Sequence, residues 1–522
     1  MVVERVLRSL AADPGRIALS DPREVYSAGH VRDQVYRTAR VLLARGLGPG
    51  TTIALSGRVG PRMYILCRAI GLIGAAHLDV PVSMSAREQI ELSAECGADL
   101  LVIDPEQTDA ATTRILTEAT GFDVCALSAS EQVEDLFEQA RDHAADPFPS
   151  LARYGDPCQI GTTSGTTGRP KVVLRTFAPP PPPGPSWLGA CFGPEQGPSR
   201  LLLTDRLSGL PLSLADAALG TGNRLDTLPE HGVPDLLATV ASERITHLYL
   251  PVYRLAELLA APETADTDLS SLRAVIVAGS ALPPALLRRA VDRLGPIVHS
   301  LYGQTEAGNI ARLAPEDYEP WNDAAARSVG RPLPGVDVRI RPVEEEDTNS
   351  KVDAGTGERG RVWVRTARLM DGYPNRPEAT DEVLRDGWLD TGDIGYLDEA
   401  GRLVLLGRAG DAVAIGGRTV FPFEIDVVVQ EHPDVRESVT FDVRGPGGDE
   451  LHTVLVCRPG ARPEVADLLR RVEERMGADR TPASIVIVPS IPYTFSSEPC
   501  RRTLRRRHES TRSTVVHTKS PS

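Results

Sequence analysis

At 522 residues the chain is far longer than one compact core, because domains run roughly 100 to 200 residues. Its 41% hydrophobic and 25% charged residues are an ordinary globular balance, which excludes a fibrous or wholly disordered protein. A formal net charge of -14 leaves no overall basic field to neutralise phosphates, so nucleic acid is not an expected partner.

The opening MVVERVLRSLAADPGR interleaves acids and bases where a secretory leader needs an apolar segment. No run of about 18 apolar residues follows, so no membrane span is expected. From Val31 to Leu47 apolar positions recur at helical spacing, TTIALSG at 51–57 reads as a short buried strand, and Met63 to Ile73 as another helix. DLLVID at 99–104 is a strand closed by Asp104 and Pro105, and AVIVAGS at 274–280 is another, followed by the helix-like LPPALLRRAVDRL. This alternation predicts an α/β fold of parallel sheets covered by helices. FAPPPPPGP, from Phe177 to Pro185, forbids helix and ladder hydrogen bonding and predicts an exposed polyproline II connector.

Between Gly330 and Val413 short strands split by Gly and Asp, as in GRVWVRT and GYLDEAGRLVLLGR, predict a smaller β-rich lobe. VFPFEIDVVVQEHPDV, ESVTFDV, HTVLVCR and PEVADLLRRVEERM then predict a separate α+β module of about 100 residues. The expected division is therefore 1–409, 410–507 and a tail of 508–522. That tail, HESTRSTVVHTKSPS, is Ser- and Thr-rich without periodicity and is expected to be disordered. Just before it, Arg501, Arg502, Arg505, Arg506 and Arg507 form either a solvated helix face or the surroundings of a phosphate-bearing ligand. Seven scattered cysteines, Cys67, Cys96, Cys125, Cys158, Cys191, Cys457 and Cys500, fit reduced thiols and hence a cytoplasmic location.

One segment carries chemistry on its own. From Ile160 to Lys171 the chain reads IGTTSGTTGRPK after a predicted strand, placing Thr162, Thr163, Ser164, Gly165, Thr166, Thr167, Gly168 and Lys171 in one loop. Glycines let backbone N–H groups converge on an anion, hydroxyls donate further hydrogen bonds, and the lysine adds a point charge. The loop fits phosphates, although the spacing G-x-x-x-x-G-K-[ST] is absent.

TTSGTTGRPK closely resembles the signature loop of the adenylate-forming superfamily, which includes acyl-CoA synthetases, luciferases and nonribosomal adenylation domains. Two further motifs follow in the family's order: SLYGQTEAG, with Tyr302, Gly303, Gln304, Thr305 and Glu306, and GWLDTGDIGYLDEAGRLVLLGR, with Asp393 and Arg408. The resemblance runs from about Ala18 to Arg507. It implies a large multi-lobed N-terminal domain that binds ATP and an acid, and a small mobile C-terminal domain that rotates between adenylation and transfer poses, with Gly410 at the pivot. It further implies that Tyr302 lies against adenine and that Gly279, Ser280 and Ala281 flank it. Thr305 is expected near the α-phosphate, with Glu306 and Thr167 at Mg2+. Asp393 is expected at the ribose hydroxyls, with Arg408 as its basic neighbour. The cofactors implied are ATP and Mg2+, with CoA left open as a third. The partners are a small-molecule acid and an acceptor: CoA, a carrier thiol or an amine.

The chain departs from the family at two places. The family's last motif ends in Ser or Thr, Gly and Lys, and that lysine bridges the carboxylate and the α-phosphate. Here IPYTFSSEPCRRTLRRR aligns without gaps, with Ser497 at the glycine and Glu498 at the lysine. A preorganised cation on developing charge is worth ~3 to 4 kcal/mol, whereas an anion repels phosphate, so ordinary adenylation is expected to be slow. Three readings remain open. Arg501 or Arg502 substitutes, if Pro499 bends the loop. Alternatively the chain runs only the transfer step or activates a small acid such as nitrite, as family members resembling diazotases do. Or it binds nucleotide and acyl ligands without turnover. The second departure is LLLTDRLSGLPL, where Arg206 stands near the family's pocket-gating histidine and is either a surface arginine or a partner for an anionic substrate group.

Overall fold

The computed structural model describes residues 1–118, 121–162, 171–179, 187–193, 197–229, 231–342, 353–374, 376–415, 418–445, 448–494 and 497–516. Two large sheets organise the first two thirds. One has six strands in the order Asp123–Ala126, Leu100–Ile103, Thr52–Ser56, Ala76–Asp79, Pro157–Thr162 and Val172–Thr176. All are parallel except Val172–Thr176. The other has nine strands, ordered Arg331–Pro332, Gly308–Leu313, Val298–Gln304, Ala274–Ala278, His247–Pro251, Arg200–Leu203, Arg224–Thr227, Ile17–Ser20 and Val25–Ser27. Its interior, from Val298–Gln304 to Ile17–Ser20, is parallel, and the antiparallel pairs lie toward the two edges.

The α/β expectation is met, and the apolar runs explain why. Leu100–Ile103 and His247–Pro251 are buried at every position, as strands covered on both faces must be. Between the sheets lie the helices Ala28–Ala44 and Pro61–Ile73, read in the sequence as 31–47 and 63–73. One apolar cluster joins Val35, Leu42, Tyr64 and Leu66 to Leu100 in one sheet and Leu201 in the other. Each such buried side chain contributes about 1.5–3 kcal/mol, which fixes the two sheets against each other.

The β-rich lobe is an antiparallel sheet of Val336–Pro342, Gly360–Thr366, Trp388–Leu397 and Leu384–Arg385, with Leu403–Arg408 also pairing to Trp388–Leu397. After it come the hairpin Val413–Ile415 and Arg418–Val420, the helix Pro422–Gln430, and a three-stranded sheet of Val435–Gly445, Gly448–Cys457 and Ser484–Ile487. Val420, Ile425, Val429, Leu455 and Leu468 form an apolar cluster drawn from this C-terminal stretch alone.

The tail needs correction. The last helix runs Arg501–Val516, so the segment from His508, expected to be disordered, is helical as far as Val516. At the start of that segment the His508 ring lies 4.2 Å from the His452 ring and 6.1 Å from that of Phe441. The predicted polyproline connector falls mostly outside the described residues, although Phe177 still donates its N–H to Asp156 at 2.9 Å. Among the described residues no helix is long and apolar enough to cross a membrane.

Candidate active site

Parallel strands point their carboxyl ends the same way, so the loops that leave them converge on one crevice. Asp79 ends Ala76–Asp79 and Thr162 ends Pro157–Thr162 in the first sheet. In the second, Asp205 follows Arg200–Leu203, Tyr253 follows His247–Pro251, Gly279, Ser280 and Ala281 follow Ala274–Ala278, and Thr305 and Glu306 follow Val298–Gln304. All of them line one cavity of about 840 Å³, together with Lys171, Asp393, Arg408 and Glu498. Gly279 turns at φ 95, a left-handed backbone that a side chain would strain. At Gly303 an added Cβ would stand 2.5 Å from the Gly308 carbonyl oxygen, so the close strand crossing beside Tyr302 requires glycine.

The tightest part of the site joins the second sheet to the β-rich lobe. Asp393, only 5% exposed, accepts from the Tyr302 hydroxyl at 2.5 Å and from Gln304 Nε2 at 2.8 Å through Oδ2. Arg408 Nε lies 3.1 Å from Oδ1 of the same carboxylate, and its other nitrogen donates to the Thr391 carbonyl at 3.0 Å. Burial pushes the Asp393 carboxyl up, and Glu498 adds to that, while Arg408, Tyr302 and Gln304 pull it back. Burial works against charge on Arg408, but Asp393 and Glu498 outweigh it and hold the guanidinium above its ordinary pKa. A carboxylate has about four acceptor positions, so three donors leave room for one more hydroxyl.

On the opposite wall, Lys171 Nζ sits 4.7 Å from the ring centroid of Tyr373, whose hydroxyl donates to Glu306 Oε1 at 3.0 Å. Arg175 donates to the Thr305 carbonyl from Nε at 3.1 Å, fixing the turn that presents Thr305 and Glu306. Thr162 and Lys171 flank the segment 163–170, which the sequence predicts to hold phosphates. Thr163, Ser164, Gly165, Thr166, Thr167 and Gly168 lie outside the described residues.

The C-terminal loop closes the cavity. Tyr493 and Pro499 form a bridge, Thr494 N–H donates to the Glu498 carbonyl at 2.8 Å, and Glu498 N–H donates to Thr494 Oγ1 at 3.2 Å. Tyr493 also stacks on Tyr253 of the N-terminal region, with ring centroids 4.6 Å apart. This places Glu498 Oε1 3.6 Å from Arg408, on the same guanidinium that holds Asp393. Ser497, at the position where the family has glycine, adopts φ 65.

Arg501, a candidate stand-in for the missing lysine, is engaged elsewhere. It donates to the Thr440 carbonyl at 2.9 Å and lies 3.5 Å from Asp411 and 3.3 Å from Asp426. Burial pushes Asp426 up to about 7 despite that arginine. Arg502 lines the cavity and is exposed. Arg206 is not a bare surface residue: its side chain is 24% exposed, it lines the cavity and it is paired with Asp79.

Sequence reasoning missed Asp79, Asp205, Tyr253, Tyr373 and Tyr493. For the two aspartates a signal existed, since each follows an apolar strand run, in AHLD and LLLTD. The three tyrosines carry none.

The profile of AMP-binding enzymes matches residues 6–179 and 214–374, more than half of the chain, and the chain belongs to that family. It is similar to an indoleacetate–CoA ligase of Aromatoleum aromaticum, 28% identical, over 94% of this chain and 95% of that one. A 2-succinylbenzoate–CoA ligase of Geobacillus kaustophilus is 29% identical over the same shares, 94% and 95%. Among solved structures, the amide bond synthetase McbA from Marinactinospora thermotolerans superposes with a TM-score of 0.83 at 28% identity, covering 97% of this chain and all of that one.

Proposed function

We propose that the chain uses ATP to activate an acid as its mixed anhydride with AMP, releasing pyrophosphate, and then transfers the acyl group to CoA, a carrier thiol or an amine. The observation that carries this reading is the convergence of Tyr302, Gln304, Asp393 and Arg408 with Thr305, Glu306 and Lys171 on one cavity. The remaining acceptor position of Asp393 suits a ribose hydroxyl, and Tyr302 with Gly279, Ser280 and Ala281 frames a slot for the base. Thr162, Lys171 and the loop between them would face the phosphates. A single carboxylate with phosphate oxygens and water is the ordinary setting for Mg2+, which Glu306 fits, with Thr167 as the second expected contact. The metal would neutralise phosphate charge there. Residues 1–409 would form the core and 410–507 the mobile part, turning at Gly410. The names of the relatives, CoA ligases and an amide bond synthetase, support both thiol and amine acceptors.

A second reading rests on Glu498. Its carboxylate stands on Arg408 where the family places a cation, which favours a chain that transfers from a preformed adenylate, activates a small acid such as nitrite, or binds without turnover. Pyrophosphate exchange across a panel of carboxylic acids and nitrite, comparing the unmodified chain with Glu498→Lys, separates the two. Brisk exchange by the unmodified chain supports full ligase activity. Exchange gained only by the variant supports a lost first step.

A further inference from the structure

We infer that Asp205 recognises a protonated amine on the acid, so that the site takes a carboxylic acid bearing a basic nitrogen. This rests on the activation reading above and names its substrate class. Asp205 lines the cavity just beyond the carboxyl end of Arg200–Leu203. Among the described residues its one hydrogen bond comes from the backbone N–H of Arg206, at 2.8 Å on Oδ1. The Arg206 side chain, whose charge also acts on Asp205, is paired with Asp79. The three groups therefore hold two carboxylates against one guanidinium, a surplus of one negative charge.

Burial raises the Asp205 carboxyl pKa, with Asp79 pushing the same way and Arg206 opposing, which is the signature of a carboxylate short of compensation. Leaving a desolvated acceptor unsatisfied is costly, and an ammonium supplies both the hydrogen bonds and the charge that are missing. Tyr249 and Tyr253 line the same part of the cavity and offer aromatic surface, which a cation tolerates well. A purely apolar acyl group would instead cover Asp205 without supplying any partner for it. Discrimination should favour the amine strongly, because a buried polar group penalises the ligand that cannot pair with it.

Matched acids test this: 6-aminohexanoate against heptanoate, and 4-(aminomethyl)benzoate against 4-methylbenzoate. Calorimetric binding to the protein with ATP analogue and Mg2+ is measured together with pyrophosphate exchange. The amino member of each pair is expected to bind at least about tenfold more tightly, a difference of roughly 1.4 kcal/mol. Asp205→Asn should erase that preference, and Asp205→Leu should reverse it, each with ATP-analogue affinity and melting temperature retained as proof of folding. Equal or tighter binding of the plain acids, binding of neither member of either pair, or an unchanged ratio in Asp205→Asn overturns the inference. Exchange that runs on plain acids alone sinks Asp205 but leaves activation standing. Failure to bind nucleotide at all sinks the activation reading, and this inference with it.

Discussion

The cluster around Asp393 and the loop around Glu498 meet on one guanidinium, yet they are built differently. Tyr302, Gln304, Asp393 and Arg408 stand on paired strands, and their hydrogen bonds cross between two sheets. Glu498 stands on a short turn closed by its own backbone and Thr494. The strand-borne groups match the motifs expected from the sequence, and the turn-borne group carries an acid where that expectation has a lysine. A side chain locked into a network costs several partners when it changes, whereas one on a turn can change sign without disturbing the fold.

Four experiments press on that contrast. The largest effect belongs to Glu498→Lys, which on the second reading should raise pyrophosphate exchange roughly a hundredfold to a thousandfold; no gain over a brisk unmodified chain would uphold the first. Asp393→Ala, which removes the acceptor shared by Tyr302, Gln304 and Arg408, should weaken ATP binding about a hundredfold by calorimetry. If it does not, the strand-borne cluster is structural only.

Smaller effects bear on the turn and its anchor. Ser497→Gly relieves a left-handed backbone at φ 65 and should stabilise the protein by about 1 kcal/mol, read as a higher melting temperature. A lower melting temperature would show that Ser497 earns its place through contacts. For Asp426 the folded carboxyl keeps its proton up to about 7, while the unfolded one releases it near 3.8. The folded state thus binds more protons in that window, so this group makes stability fall as pH rises across it and level off above. Denaturant melts of Asp426→Asn should lack that slope; parallel pH profiles for the two proteins would refute the assignment.

Most of the scaffold was legible because parallel strands and their helices announce themselves as apolar runs at fixed periods, as at 51–57 and 274–280. The part of the cavity lining that runs from Tyr302 to Glu306 was legible because those residues lie together in the chain. Another part of the lining was not: Asp79, Asp205 and Tyr253 come from three separate strand ends, and only the convergence of two sheets brings them to one cavity. Composition gave no sign of the ring contacts that His508 makes with His452 and Phe441. Arg206 read as either exposed or substrate-facing, and its tie to Asp79 depends on a residue 127 positions away.

The stack of Tyr253 on Tyr493, at 4.6 Å, joins one wall of the cavity to the base of the Glu498 turn. Any guest bulky enough to tip the first ring tilts the second. Evolution toward a new guest therefore retunes the timing of the chemistry at the same stroke, and engineering that reshapes one ring should be judged on speed as well as on fit.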